Sequence, residues 1–479
     1  MTKENSEKPA LGDRQRAVVF VIVFSSFLPS FAGSALNVAV PVIGHEFHSS
    51  AASLGWIVTA YMISTVTLML PIGRLSDLTS KRRVLIVGLS IFSVVSGSCM
   101  FAGSLGMLIV LRVLNGIGSA CMFATAQAIL VDAVPREMRG RALGMSVSSV
   151  YVGLSAGPVL GGLITHYLGW RWMFVIISCV GFVTVAVAIA KLPEKPRAPR
   201  EGSLLSQLDG GGTAIYMVAI VALMYGFSSV ARNAFAVPCL LVGLGLLVCF
   251  FLYEHRSRKP LLNLRLFRGN PNFLLSNLAA LLNYGATFTM AYLLSLYLQL
   301  VGGFGADRAG MVLIAMPVMQ AVVSVFAGRL SDRRSPFKLA SFGMALCASG
   351  LVSFIFLGDR ASLPHIVPTL MLMGVGFGFF SSPNTNAIMS LASPQDYGIV
   401  SSFVGTMRNF GQSLGMCVIT VIMGHNLGNV PIEDSPPDLI VLSIRSAYIA
   451  FACICTVGIF ISLGRKENAP GRGHSDLAD

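Results

Sequence analysis

The pentapeptide Gly-Arg-Leu-Ser-Asp occurs twice in this chain, at Gly73–Asp77 and again at Gly328–Asp332, 255 residues further on. Each copy follows a long apolar stretch and leads into a short basic loop. Lys81, Arg82 and Arg83 follow the first copy, and Arg333, Arg334 and Lys338 the second. Of the 479 residues 54% are hydrophobic and 11% charged, and mean hydropathy is +0.75, outside the range of soluble domains. A repeat of that period in so apolar a chain predicts two related bundles of membrane-spanning helices, an all-α membrane protein.

A span needs about 20 apolar residues. Runs of that kind lie near 17–41, 51–72, 84–103, 106–131, 142–166 and 171–190, then near 212–230 and 236–253. Six more lie near 272–300, 309–327, 338–357, 364–388, 398–424 and 442–463, which makes fourteen transmembrane helices with both termini on one side. Residue 17 shifted by the repeat period lands at 272, where the ninth run begins. The chain therefore divides into an N-terminal six-helix bundle (1–190), a linker and two-helix insert (191–271) and a C-terminal six-helix bundle (272–479). The polar N-terminal stretch and long first span predict no cleaved signal peptide. All nine cysteines fall in apolar runs, which argues against a disulfide framework or a metal site. With the N-terminus inside, 27 of the 34 Lys and Arg residues fall in cytoplasmic segments. Arg171, Arg232, Arg308, Arg360 and Arg445 lie outside, and Arg112 and Arg408 lie within helices. The formal charge of +13 is thus a topology signal and a contact with anionic lipid, not a nucleic-acid surface.

The first repeat reads GRLSDLTSKRR and the second GRLSDRRSPFK. The former resembles the loop between the second and third helices of the major facilitator superfamily, and the latter sits where that family's pseudo-repeat places it. LRVLNGIGSA on the fourth helix is similar to the family's arginine-plus-glycine motif, and GLSAGPVLGG on the fifth resembles the antiporter signature of exporters. LNVAVP on the first helix and SPNTNAIM on the twelfth resemble motifs of the fourteen-helix drug:proton antiporter branch. The resemblance implies a major facilitator fold and secondary active transport by alternating access in a bacterial cytoplasmic membrane. It implies proton-coupled efflux of hydrophobic or amphipathic small molecules, as in multidrug resistance. Its partners are a small-molecule substrate and the lipid bilayer. It calls for no cofactor or metal, only a proton gradient, and for a monomer that is not an enzyme. The alternative is export of an endogenous metabolite or organic anion, favoured by two intramembrane arginines. An intact repeat argues against a sensor that has lost transport, and the bilayer region holds no nucleophile–base pair for an enzyme.

Comparing the halves separates scaffold from function. Gly116, Gly118, Gly153 and Gly157 recur 258 residues later as Gly374, Gly376, Gly411 and Gly415, which reads as packing. Arg112 is matched by Leu370 and Pro158 by Met416, so these break the symmetry. Arg112 reads either as a helix-pinning side chain bonded to carbonyls or, by resemblance, as a proton-coupling residue; Asp132 at the inner end of the fourth helix joins it. Gly157 and Pro158 read as a tightly packed kink or as a hinge and seal. Asp77, Arg74 and Arg82 in the first loop, and Asp332 and Arg329 in the second, read as cytoplasmic gates.

None of the 21 acidic residues is expected in the membrane core. In the drug-antiporter branch an aspartate stands five residues before the asparagine of the first-helix motif; here Ala32 precedes Asn37. An intramembrane carboxylate is the usual proton carrier and attractor of cations, so the expected cavity is aromatic and neutral-polar. Its candidates in the first half are Ser34, Asn37, Asn115, Met122, Phe123 and Gln127. In the second half they are Asn283, Tyr284, Phe288, Tyr292, Gln320, Phe380, Asn384, Asn386, Arg408, Asn409 and Gln412. Trp56, Trp170 and Trp172 are expected at the outer interface.

Overall fold

Backbone polar groups crossing an apolar layer must be bonded within their own segment, and helices meet that demand here. The structure is a computed structural model describing residues 12–134, 139–193, 209–229, 234–256, 271–331, 333–358, 361–391, 397–428 and 430–465. The first six helices are α1 (Asp13–Glu46), α2 (Ala51–Leu78), α3 (Lys81–Ser98), α4 (Leu105–Ala133), α5 (Arg139–Tyr167) and α6 (Trp170–Lys191). The inserted pair is α7 (Gly210–Ser229) and α8 (Ala236–Arg256). The remainder begins with α9 (Pro271–Phe288), α10 (Met290–Leu296), a π-helical turn at Tyr297–Val301, α11 (Ala306–Leu313) and α12 (Ala315–Ser331). It ends with α13 (Pro336–Ile355), α14 (Leu363–Ser390), α15 (Tyr397–Leu427) and α16 (Pro437–Leu463). Among the described residues 13 stretches are long and apolar enough to cross a membrane, and the 31-residue α15 occupies the place of the fourteenth expected span.

Serine hydroxyls start three of the helices. Ser50, Ser80 and Ser104 accept the N–H groups of Ser53, Arg83 and Met107 at 3.3, 3.3 and 3.2 Å, satisfying first-turn donors of α2, α3 and α4. Two spans expected to be continuous are interrupted. At Thr289, between α9 and α10, the hydroxyls of Thr287 and Thr289 bond back to Asn283 and Gly285 carbonyls at 2.7 and 3.1 Å, which competes with the helical ladder. At Ile314, between α11 and α12, Pro317 lacks the N–H that would reach the Leu313 carbonyl and its ring crowds that oxygen.

The residues gather into two compact units. One holds Met1–Leu262, Ala291–Ile314 and Met416–Ser443; the other holds Asn263–Met290, Ala315–Gly415 and Ile444–Asp479. In the first unit α1 packs on α5, α4 on both α2 and α3, and α7 on α8. The insert belongs to it because the Tyr216 hydroxyl donates to the Val66 carbonyl of α2 at 3.0 Å. In the second unit α12 and α13 both pack on α14, repeating the arrangement of α2 and α3 on α4.

Glycine places these crossings. A Cβ on Gly118 would stand 2.8 Å from the Gly88 carbonyl oxygen, and one on Gly376 would stand 2.8 Å from that of Gly343, its counterpart one repeat later. Gly116 likewise meets the Tyr61 carbonyl and Gly374 that of Met316, again 255 residues on. The recurrent glycines are thus contact points where two helix backbones nearly touch.

Candidate functional site

The duplicated loop keeps its local geometry in both copies. The Ser76 hydroxyl donates to the Gly73 carbonyl at 2.7 Å, and Ser331 does the same to Gly328 at 2.7 Å. In the first copy the helix turn brings Lys81 between two carboxylates, 3.9 Å from Asp77 and 3.2 Å from Asp132. Asp132 at the end of α4 is thus tied to the loop through Lys81. Arg82 spans from α3 to α6, donating to the Ile189 carbonyl at 2.7 Å. Arg74 is part-buried on α2, and Arg329 is exposed on α12. Asp332 lies outside the described residues.

Arg112, about two turns into α4, is fully buried. Its guanidinium lies over the Tyr61 ring, 4.1 Å from the centroid, and Nε donates to the Ile57 carbonyl at 3.4 Å. Both terminal nitrogens are buried without a hydrogen-bond partner among the described residues. The pinning reading accounts for Nε alone. Tyr61 is itself anchored by Ser119, 2.8 Å from its hydroxyl. In the second half Leu370, equally buried, fills the matched position.

The signature on α5 divides its small residues between two neighbours. Gly153, Gly157 and Gly161 face α1: a Cβ on Gly153 would stand 2.8 Å from the Phe27 carbonyl, and one on Gly157 would overlap the Ser34 hydroxyl. Pro158 and Gly162 face α11, where Gly310 lies against the Pro158 carbonyl and Ala306 against Gly162. Beyond them His166 Nδ1 stands 3.7 Å from Asp307 Oδ1. At the same end Ile432 N–H donates to the Ser49 carbonyl at 3.1 Å and Gln299 Nε2 to the Val38 carbonyl at 2.9 Å. At the ends of the helices away from the N-terminus, α1 and α5 are thus bonded to segments of the second half of the sequence.

Several of the residues expected to line a cavity make contacts between helices. Ser34 donates to the Gly153 carbonyl at 3.2 Å and ties α1 to α5. Asn115 donates to Ser96 of α3 at 3.0 Å and is fully buried. Asn283, also fully buried, accepts from the Cys455 thiol at 3.7 Å. Tyr284 packs edge-on to Phe377 and Phe380 at 5.3 and 6.1 Å. Asn386 donates to Ser331 at 2.9 Å. Asn384 uses both ends of its amide: Nδ2 donates to the Ser276 carbonyl at 3.2 Å and Oδ1 accepts from Arg465 at 2.8 Å. Phe123, Gln127, Phe288, Arg408 and Asn409 keep partial exposure, while Asn37, Met122, Tyr292, Gln320, Phe380 and Gln412 are buried. Gln127 donates to Ser146 at 3.2 Å, and Ser146 meets Ser26 at 3.0 Å, a polar chain across α4, α5 and α1.

Three features escaped sequence reasoning. Arg465 reads as the first residue of a basic tail, yet it is buried, with Nε on the Ser462 carbonyl (2.8 Å), Nη1 on Ser276 (3.2 Å) and Asn384, and Nη2 on the Phe337 carbonyl (3.3 Å) and the Ser462 hydroxyl. Burial pulls its guanidinium down to about 10, so it stays charged at neutral pH. Asp209 and Glu254, at the ends of the insert, are buried together beside Gly212, with Tyr253 donating to Asp209 at 3.1 Å. Trp170 is buried rather than facing an interface. Its Nε1 donates to Glu46 at 2.7 Å, and Arg171 closes a bidentate pair on the same carboxylate at 2.7 and 3.0 Å. No group of three or more His, Cys, Asp or Glu able to hold a metal ion occurs among the described residues.

Comparison with known proteins agrees with this arrangement. The chain is 28% identical over 455 residues to riboflavin transporter RibZ of Clostridioides difficile, covering 94% of this chain and 97% of that protein. It is 27% identical over 403 residues to multidrug resistance protein Stp of Mycobacterium tuberculosis, covering 81% and 72% of the two. Its fold is like that of a bacterial homologue of the human lysosomal transporter Spinster, with a TM-score of 0.69 at 16% identity over 95% and 97% of the chains. Residues 22–416 match the profile of the Major Facilitator Superfamily, and this multi-pass membrane protein is therefore a member of that family of transporters.

Proposed function

We propose that this transporter exports hydrophobic or amphipathic small molecules across the bacterial cytoplasmic membrane by alternating access, driven by proton entry, as a monomer with both termini inside. The observation that carries the reading is the double use of α5. Its glycines seat α1, while Pro158 and Gly162 seat α11, so one helix both packs its own bundle and seals the end away from the N-terminus. The relatives named for riboflavin and for multidrug resistance support a small organic substrate.

In this reading Arg112 and Asp132 couple proton movement to transport. The terminal nitrogens of Arg112 have no partner in the present arrangement and gain one in another state of the cycle. Asp77, Lys81 and Asp132 form the cytoplasmic gate with Arg74 and Arg82, and Asp332 and Arg329 form its repeat. Phe123, Gln127, Phe288, Gln320, Arg408, Asn409 and Gln412 remain the candidates for contact with substrate. The unmet donors of Arg112 also favour a second reading, export of an organic anion that would accept from them.

The test is extrusion of a hydrophobic fluorescent dye from cells lacking their major pumps, with and without a protonophore. Protonophore-sensitive extrusion, lost in Arg112→Ala with the protein still in the membrane, is the expected result. Extrusion that ignores the protonophore refutes proton coupling, and extrusion of anionic dyes alone turns the assignment to the second reading.

A further inference from the structure

One face of α1 carries a row of phenylalanines. Phe20 and Phe24 have ring centroids 4.6 Å apart, Phe24 and Phe27 meet edge-on at 6.0 Å, and Phe27 and Phe31 stack at 5.5 Å with 14° between their planes. The spacing 20, 24, 27, 31 follows one helical stripe, which continues through Ser34 to Val38. Farther along the stripe is covered: Ser34 bonds to α5, and the carbonyl of Val38 takes Gln299. Toward the N-terminal end it is left open, and Phe20 is 39% exposed.

At that open end α1 and α5 enclose a cleft of about 580 Å³, walled by Phe24 and Phe27 on one side and by Met145, Ser148, Ser149 and Val152 on the other. Its polar floor is held in place. Ser149 donates to the Ser146 carbonyl at 2.7 Å, and Ser146 meets Ser26 and Gln127. Ser148, exposed on the wall, presents the hydroxyl that a ligand can meet. Among the described residues no charged side chain lines the cleft.

We propose that this cleft is a binding site for the uncharged, flat aromatic ring system of the transported molecule. The inference deepens the export reading and rests on it for the direction of travel. Its volume is that of a site for a drug-sized ligand. Offset-stacked and edge-on rings at 4.5–7 Å are the favoured aromatic geometries, and a planar ligand entering beside Phe27 extends a stack already present. The Met145 thioether adapts to the ring edge. A cationic ring would gain some attraction from the Phe24 and Phe27 faces, but its lost hydration would meet no carboxylate among the described wall residues, and an anionic ring would meet no cation there, so both are disfavoured against an uncharged one. Ala32, on the same helix, adds no carboxylate either.

The test uses a matched pair of planar tricyclic probes, uncharged acridone and cationic N-methylacridinium, with the full-length protein in phospholipid nanodiscs. Fluorescence titration is expected to show acridone binding at least ten times tighter than N-methylacridinium. Phe27→Ala should weaken acridone about tenfold. Val152→Trp, at a position 56% exposed and so able to take a larger side chain without disturbing the fold, fills the cleft and should abolish binding. Acridone binding that ignores both substitutions, or tighter binding of the cation, overturns the proposal. So does acridone partitioning equally into empty nanodiscs, which would leave the cleft to lipid acyl chains. Binding that obeys the substitutions without any extrusion in cells would keep the site and sink the export reading. Extrusion that ignores the substitutions would do the reverse.

Discussion

Arg112→Leu should make the protein more stable and leave it unable to pump. The two terminal nitrogens of Arg112 are buried without partners among the described residues, and an unmet buried donor group costs about 1–3 kcal/mol. Against this stand a cation–π contact with Tyr61, worth up to about 2 kcal/mol when desolvated, and one long bond to the Ile57 carbonyl. The balance is a cost of about 2–3 kcal/mol, in line with the roughly 2.5–3.5 kcal/mol that a central arginine costs on insertion scales. Leucine at the matched position of the second half, Leu370, is fully buried, so the fold accepts it there. A void beside the shorter side chain returns about 1 kcal/mol of that gain. The net expectation is stabilisation by about 1–2 kcal/mol, an upward shift of roughly 1–2 °C in the thermal midpoint of a chain this long. Tryptophan fluorescence of the purified protein on heating measures the shift, and dye extrusion from energised cells measures transport. A lower midpoint together with retained uphill extrusion would make Arg112 a structural pin and rule out its part in coupling.

Arg465→Ala removes bonds to Ser276, Asn384 and Phe337 and should lower stability by about 2 kcal/mol, less than their sum because a charge is no longer buried. Lysine should not restore it, since one ammonium cannot reach the same acceptors; full rescue by Arg465→Lys in a thermal melt would count against the clamp. Asp77→Asn breaks a long, half-exposed pair with Lys81, so transport should slow by no more than about fivefold with the ranking of substrates unchanged. A changed ranking in competition assays would place Asp77 at the substrate rather than at a gate. Ala32→Asp puts a carboxylate into α1 and should create or strengthen export of a lipophilic cation; no gain in cells that insert the variant normally would mean that position 32 does not set charge preference.

The span plan was legible because hydropathy is local: each run long enough to cross a bilayer became helix, and the shared pentapeptide aligned the halves. The glycine pairs were legible for the same reason, since a residue kept at both copies of a crossing has to serve the backbone contact itself. Part of the site was not. Asn384 and Asn115 carry the polarity of cavity residues, yet Asn384 Oδ1 meets Arg465 and Asn115 Nδ2 meets Ser96, and which neighbour an amide meets depends on the rotation of its helix. The breaks at Thr289 and Ile314 had a local signal in Thr287, Thr289 and Pro317, which hydropathy overrides when a run is read only for its length.

The amino-acid sequence alone carries the all-helical membrane architecture, the repeat that relates its two parts, and the residues that break the symmetry of that repeat. Those properties follow from composition along single segments and from identity between them, because a helix in an apolar layer bonds its own backbone. Only the tertiary structure decided that Arg465 is a buried clamp, that Trp170 turns inward to Glu46, that Asp209 and Glu254 lie together beside Gly212, and that phenylalanines on α1 wall a cleft with α5. Each of these joins positions tens to hundreds of residues apart. Their meeting depends on helix rotation and depth, which the packing of neighbouring side chains sets and no single segment encodes.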